Sequence, residues 1–289
     1  MQTLHSLDPL RRAVAALRQS PDGPKTVALV PTMGALHEGH LTLVREARKQ
    51  ADHVVVSIFV NPLQFGANED LDKYPRQLER DCALLKAEGV DLVWAPTVEA
   101  MYPQGFATNI SVTGVSDGLC GASRPGHFDG VATVVCKLFH QVLPDVALFG
   151  EKDWQQLAVI RRMARDLDLT SPHADAVLGV ATVREEDGLA MSSRNAYLTA
   201  EQRLQAVTLP MAMKVAIAGI RNGEPVAACI GHLKDALLAG GFSSVDYAEL
   251  RDADSLAPLD SRGTAPMRLL VAARIGTTRL IDNMAVLPE

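Results

Sequence analysis

The chain has 289 residues with 28 Lys and Arg against 34 Asp and Glu, a net charge of −6, and its basic residues form no long runs, which argues against a general nucleic-acid binder. Apolar residues make up 47% and charged residues 21%, enough to bury a sizeable core in about two domains. Cys82, Cys120, Cys136 and Cys229 are far apart and form no C-x-x-C pair, which speaks against zinc–cysteine patterns and a disulfide scaffold and points to a reducing cytoplasm.

The N-terminal run "MQTLHSLDPLRRAVAALRQ" lacks a basic-then-apolar leader layout. It reads as a helix capped near Ser6, with Leu10, Val14 and Leu17 on one face. Apolar runs such as "VVVSIFV" fall far short of the roughly 20 residues a membrane span requires. Strands are expected at residues 26–30, 53–60, 90–95, 145–150 and 174–183, rich in Val, Ile and Leu with little alternation. Helix-like segments lie between them at 41–51, 77–88, 131–142 and 155–167. That alternation predicts a doubly wound, Rossmann-like parallel sheet, an α/β domain covered on both faces.

The pattern changes after "REEDG" at 184–188, where acidic residues and a glycine suggest a hinge. Thr199 and Gln202 predict a capping box that opens a helix running to about Asn222, and a second helix is expected at 226–239. Three short strands follow, in "VDYAEL", "RLLVAARI" and "RLIDNMAVL", so residues 185–289 read as a smaller α+β domain behind a first domain of 1–184. Neither internal repeats nor low-complexity tracts occur.

In an open parallel sheet, ligands bind beyond the carboxyl ends of the strands, near the point where strand order reverses. Four segments follow strands here: "PTMGALHEGH", "NPLQF", "GEKDWQQ" and "DGLAMSSRN". In the first, Gly34 would admit a ligand close to the backbone and Gly39 would loosen the first helical turn. His37 and His40, three apart, should share a helix face at an N-terminus whose N–H groups and dipole favour phosphate. A pair of polar surface residues, or a zinc site, is the competing reading, although H-E-G-H is not H-E-x-x-H. Lys152 and Asp153 stand on one strand-ending turn. Ser192, Ser193 and Arg194 put two hydroxyls and a guanidinium in a row, suited to phosphate oxygens. Neither a Walker loop nor G-x-G-x-x-G is present.

Together with "SIFVNPLQF", "YPR", "RPGHFDGV", "FGEKDWQQL", "RDA", "LVAA" and "RLIDN", these segments resemble the pantothenate synthetase family, the pantoate–β-alanine ligases, in order over essentially the whole chain. "HEGH" is similar to the H-x-G-H motif of the wider nucleotidyltransferases, and "MSSR" stands where related synthetases carry K-M-S-K-S. One departure is Cys120, where relatives usually carry an acidic residue.

The resemblance implies an enzyme that activates pantoate with ATP as an acyl-adenylate, releasing pyrophosphate, before β-alanine displaces AMP. It implies that Met33, Gly34, Ala35, Leu36, His37, Glu38, Gly39 and His40 wrap the ATP, with His40 at the leaving phosphates or donating a proton. Gly150, Glu151, Lys152 and Asp153 would hold adenosine and α-phosphate, with Lys152 at the pentavalent centre. Val183 would lie near adenine, and Met191, Ser192, Ser193 and Arg194 would close over the triphosphate. Gln64 and Gln156 would bind pantoate, Gln64 facing β-alanine as well. Mg2+ would arrive on ATP rather than in a protein cage, and the protein would be a cytoplasmic homodimer without nucleic-acid or membrane partners. The apolar segment "VATVVCKLF" would suit burial near a dimer interface, or simple core packing. Three alternatives stay open: a transferase acting on a phosphorylated acceptor, a protein that binds ATP without turnover, and a zinc hydrolase using His37 and His40.

Overall fold

The computed structural model describes residues 1–66, 71, 72 and 74–287. The chain forms two compact units, Met1–Glu151 with Gln156–Ala181, and Lys152–Gln155 with Thr182–Glu289. The first contains β1 (Gln2–Leu4), α1 (Leu7–Arg18), β2 (Val27–Thr32), α2 (Glu38–Gln50), β3 (His53–Ile58), α3 (Leu78–Ala87) and β4 (Leu92–Trp94). It continues through α4 (Val98–Met101), α5 (Leu119–Ser123), α6 (His127–Val142), β5 (Val146–Gly150), α7 (Trp154–Asp166, most of its length) and β6 (Val177–Val180).

Its six strands pair in the order β1-β4-β3-β2-β5-β6, and every pairing is parallel. The alternation within strands shows how each face is covered. Ala28, Val30, Val54, Val56, Val93, Val146 and Leu148 pack with Leu43, Val44 and Ala47 of α2 and Leu85 of α3. Intervening residues face the other way. Trp94 donates its indole N–H to Gln141 of α6 at 2.9 Å, and Phe149 meets Phe139 of α6 edge-on at 6.3 Å. The segment "VATVVCKLF" is part of α6 and is already buried within this chain, from Val131 at 2% to Phe139 at 0% exposure. Core packing accounts for it.

Two expectations are corrected here. The short edge strand β1, which pairs with β4, precedes the N-terminal helix and was not anticipated. The strand expected at 174–183 shrinks to four residues, because His173 caps a 3-10 turn over Ala174–Ala176.

The second unit holds α8 (Ala200–Ala206), α9 (Thr208–Arg221), α10 (Val226–Ala239) and an antiparallel sheet of β7 (Ser244–Asp252), β8 (Met267–Ile275) and β9 (Thr278–Val286). The Thr199–Gln202 capping box is present in both directions. The single helix expected to run to about Asn222 breaks at Val207 into α8 and α9, next to the rigid Pro210. Ala206, Leu209, Met213, Ile220, Leu233 and Leu237 pack with Leu269, Val271, Leu280 and Val286 to form this unit's own core.

Candidate active site

In the first unit, β2 is flanked by β3 on one side and β5 on the other. Strand order therefore reverses between β2 and β5, which is where an open sheet leaves its crevice. The segments leaving these two strands are residues 33–40 and Gly150–Glu151.

The first of these is built rigidly. Thr32 donates its hydroxyl to Ser57 O at 2.8 Å and accepts Gly34 N–H at 3.2 Å. Gly34 has φ +83, and a Cβ there would lie 3.0 Å from Asp81 Oδ2 and 3.2 Å from Ile58 Cγ2, so both conformation and space call for glycine. Asp81, 1% exposed, accepts the N–H groups of Ala35 and Leu36, both at 2.9 Å. Nothing in the sequence marked Asp81, since an acid on a helix ordinarily faces solvent. Only its burial shows that it anchors the loop.

His37 and His40 together form a capping box for α2. His37 Nδ1 accepts Gly39 N–H at 3.2 Å, and His40 Nδ1 accepts His37 N–H at 3.3 Å. Their ring centroids are 4.1 Å apart. A ring nitrogen that accepts a backbone N–H carries no proton, so in both side chains the proton sits on Nε2. Each imidazole is thus a neutral N–H donor. The expected row of open N–H groups at this helix start is narrower than it looked, because Gly39 N–H is taken by His37 and His40 N–H bonds His37 O at 2.8 Å. Glu38 turns its carboxylate to Arg45.

Gln64 ends a 3-10 turn, Pro62–Gln64, that follows β3. Asn61 donates from Nδ2 to Gln64 Oε1 at 3.1 Å and to Gly130 O at 3.0 Å, while accepting Leu63 N–H and the Tyr102 hydroxyl, the latter at 2.8 Å. With its carbonyl oxygen engaged, Gln64 presents its NH2 group, which lies 2.9 Å from Met33 Sδ. His127 Nδ1 donates to the Gln64 backbone carbonyl at 2.9 Å, and Arg124 donates to His127 Nε2 at the same distance. Burial raises the Tyr102 phenol well above its usual range, keeping it a proton donor. The helices also crowd this turn, since a Cβ on Gly130 would come within 2.3 Å of Leu63 O. Asn61, Tyr102, Arg124 and His127 were missing from the sequence-derived site. Asn61 left a trace as an Asn preceding Pro at a turn, and Arg124 and His127 lie in the segment "RPGHFDGV" that carries the resemblance, without a role assigned to them. Gln156 lies half-buried in the first turns of α7.

In the second unit, Lys152 and Asp153 belong to a 3-10 turn, Glu151–Asp153, with Lys152 Nζ 3.8 Å from Asp153 Oδ2. Val183 accepts Met191 N–H at 3.0 Å, and Arg184 bridges Ala190, making residues 183–191 a tight hairpin with Gly188 at φ +92. Ser192 caps the following 3-10 turn, Ser193–Tyr197, by accepting Arg194 N–H at 3.2 Å. Met191, Ser192, Ser193 and Arg194 are all half-buried.

The acidic stretch expected to act as a hinge is clamped. Arg203 bonds Glu185 Oε2 at 2.6 Å and Asp187 Oδ2 at 2.7 Å, and Asn195 Nδ2 bonds Glu185 Oε1 at 3.0 Å. Hydrogen bonding to Glu185 holds the Arg203 pKa up. For Asp187, burial pushes upward, but the Leu189 N–H and Arg203 outweigh it and the net shift is down.

Comparison with known proteins follows the same lines. The family model described as pantoate-beta-alanine ligase matches residues 2–285. A pantothenate synthetase of Novosphingobium aromaticivorans is 66% identical over 289 residues, covering 100% of both chains, and one of Sphingopyxis alaskensis is 59% identical over 286 residues, 99% of this chain and 100% of its own. The crystal structure of pantothenate synthetase from Thermus thermophilus matches with a TM-score of 0.90 at 48% identity, over 100% of both chains. The Francisella tularensis pantoate-beta-alanine ligase, crystallised with beta-gamma ATP and beta-alanine, matches with a TM-score of 0.80 at 29% identity, over 98% of this chain and 97% of its own.

Proposed function

The chain belongs to the pantoate-beta-alanine ligase family, and from that premise we propose how its residues divide the work of condensing pantoate with β-alanine at the expense of ATP. The observation that carries this reading is the pair of imidazoles at the switch point, each with its proton on the nitrogen turned away from the helix backbone. A pantoate carboxylate is already an adequate nucleophile. Its oxygen attacks the α-phosphorus, the bond to pyrophosphate breaks, and the negative charge grows on the departing oxygens. What the protein must supply is alignment and donors where that charge develops. His40 is assigned to the leaving phosphates, with His37 beside it, and residues 33–40 wrap the nucleotide. In the second step the β-alanine amine attacks the acyl carbon, loses a proton, and AMP departs.

Gly150, Glu151, Lys152 and Asp153 take adenosine and α-phosphate, with Lys152 neutralising the pentavalent centre. Val183 is assigned to adenine, and Met191, Ser192, Ser193 and Arg194 to the triphosphate. Gln64 and Gln156 take pantoate. Gln64 suits a hydroxy acid because Asn61 fixes its amide so that the NH2 side turns toward Met33, within the nucleotide-wrapping segment. A neutral amide there disfavours a phosphorylated acceptor, which would call for Arg or Lys. In this reading residues 1–184 hold most of the nucleotide- and pantoate-binding positions and residues 185–289 carry the MSSR segment. The Francisella relative's complex with beta-gamma ATP and beta-alanine supports two of the three substrates.

Magnesium enters with ATP. Among the described residues no three His, Cys, Asp or Glu side chains are grouped to hold a metal, so the ion would keep a shell of phosphate and water, as Mg2+ commonly does. It would supply charge neutralisation on the phosphates. Among the described residues no helix is long and apolar enough to cross a membrane. A cytoplasmic homodimer completes the reading, and sedimentation of the purified protein checks the assembly state.

The test of the reaction is isotope exchange. ATP with pantoate alone should return labelled pyrophosphate into ATP, whereas ATP with β-alanine alone should return none. Exchange that requires β-alanine would exclude a stepwise acyl-adenylate.

A further inference from the structure

Two consecutive residues of β9 hold both nucleotide-facing segments of the second unit. Side chains of neighbouring strand residues point to opposite faces, and here each face meets a different segment. Asp282, with its side chain fully buried, forms a two-pronged pair with Arg184, at 2.7 Å to Nη1 and 2.9 Å to Nη2. Arg184 opens the hairpin that leads to Met191–Arg194, and it also donates to Gly188 O within that hairpin at 3.1 Å. Asn283, 3% exposed, donates from Nδ2 to the backbone carbonyl of Lys152 at 2.8 Å.

The Asn283 amide has one permitted orientation. Its Oδ1 accepts from Arg268 Nη1, and a guanidinium can only donate, so the NH2 side must face Lys152. Arg268 is itself fixed, 8% exposed and stacked with its guanidinium carbon 3.4 Å from the centroid of the Trp154 ring. Trp154 in turn donates to Ala253 O at 2.9 Å. The two halves of the device are joined: Asn283 N–H bonds Asp282 Oδ1 at 2.7 Å, and Arg184 Nη2 reaches Asn283 O at 3.3 Å. A buried ion pair of this kind is weak as a source of stability against an apolar replacement. Its distinct effect is geometric, because the Asp282 carboxylate and the Asn283 amide are each satisfied in one arrangement only.

We propose that Asp282 and Asn283 are positioning residues for the adenylation step, setting the backbone at Lys152 and the root of the 184–194 hairpin from one strand. This inference rests on the functional reading above, in which Lys152 meets the α-phosphate and Ser192–Arg194 the triphosphate. Neither residue of the pair needs to touch substrate. Adenylation depends on both segments at once, whereas amide formation follows the departure of pyrophosphate and should depend on them far less.

The experiment compares two single-turnover rates in wild type, Asn283→Asp and Arg184→Lys: adenylate formation from ATP and pantoate, and amide formation from pre-made pantoyl adenylate. Asn283→Asp keeps an acceptor for Arg268 but removes the donor to Lys152. Adenylation should fall roughly tenfold to a hundredfold, the usual effect of losing an outer partner of a functional group. Amide formation should be largely retained, and kcat should fall by more than KM for ATP rises. Arg184 is partly exposed, at 24%, so Arg184→Lys keeps the charge beside Asp282 while losing the fork, and it decides the matter should Asn283→Asp fail to fold. Equal losses in both half-reactions, or full adenylation by a folded variant, overturn the proposal. Failure of the wild type to form adenylate overturns the functional reading and this inference with it, whereas an active wild type without selective loss in the variants overturns the inference alone.

Discussion

His37 and His40 close the start of α2 through Nδ1, and the proposed chemistry uses the other ring nitrogen, so in that reading removing a ring disturbs both the helix and the site. The sequence hid the capping role, because histidine is an unusual cap residue. Replacing His40 with Ala should slow adenylation by about two to three orders of magnitude, equivalent to about 3–4 kcal/mol for a donor aimed at developing charge. It should leave amide formation from pre-made adenylate much less affected. His37→Ala should lose about 1 kcal/mol of stability with its cap, whereas His37→Asn, a favoured cap residue, should restore most of that stability without restoring adenylation. Paired thermal unfolding and single-turnover rates make the check. If His37→Asn recovers activity along with stability, the Nε2 donor of His37 has no part in the chemistry.

The elements that the sequence revealed best are those buried on both faces. The runs around Val27–Thr32, His53–Ile58 and Val146–Gly150 are mostly apolar because each sits inside the sheet. β1 escaped because it has three residues, one pairing partner and one buried side chain. The periodic part of α2 reads from residue 41, and the motif before it places His37 and His40 at the helix start; that His37 is the cap and His40 its partner is settled only by capping geometry. Connections between elements were legible as motifs but not as contacts. Gly130 in "RPGHFDGV" reads as a generic small residue, yet it is where α6 presses on the turn that carries Gln64. Gly130→Ala should force the Leu63–Gln64 peptide aside, costing about 1–3 kcal/mol as other overpacked sites do and raising KM for pantoate above any change in KM for ATP. Unchanged KM for pantoate would separate this turn from that substrate.

Asp52 joins the starts of β2 and β3. It accepts both the N–H and the hydroxyl of Thr26, at 2.9 and 2.8 Å, with Lys25 at 3.3 Å. The Thr26 backbone bond, then its hydroxyl, bring the carboxyl down from 3.8 to about 2. A depressed folded pKa means that the contribution is present above the ordinary carboxylate value and is lost as pH falls toward the folded one. The stability gap between wild type and Asp52→Ala, measured by urea unfolding, should therefore be constant near neutrality and narrow between pH 3.8 and about 2. A gap independent of pH would show that the charge of Asp52 contributes nothing.

At the scale of the whole chain, the boundary between the two units passes through the motif "GEKDWQQ", between Glu151 and Lys152 and again between Gln155 and Gln156. A boundary drawn from composition alone, at residue 184, could not show this, because tertiary contacts of Lys152 with Asn283 and of Trp154 with Arg268 and Ala253, rather than local sequence, tie this stretch to the second unit. The same contacts change what nucleotide binding should do to the segment from 184 to 196. The acidic stretch that looked like a hinge is fastened by Arg203 to Glu185 and Asp187, and by Asp282 to Arg184. Its backbone is closed by bonds such as Glu185 N–H to Leu189 O at 2.8 Å. Residues 184–190 should therefore exchange amide hydrogens slowly even without ligand. Residues 191–196 hold a short 3-10 turn with half-buried side chains, and the local opening of such a turn needs little free energy. If this segment closes over the triphosphate and excludes water from the adenylate, saturating a non-hydrolysable ATP analogue should slow exchange in 191–196 while leaving 184–190 nearly as it was. Equal slowing across 184–196 would return the pivot to the acidic stretch. Unchanged exchange throughout would remove the closing segment from the mechanism.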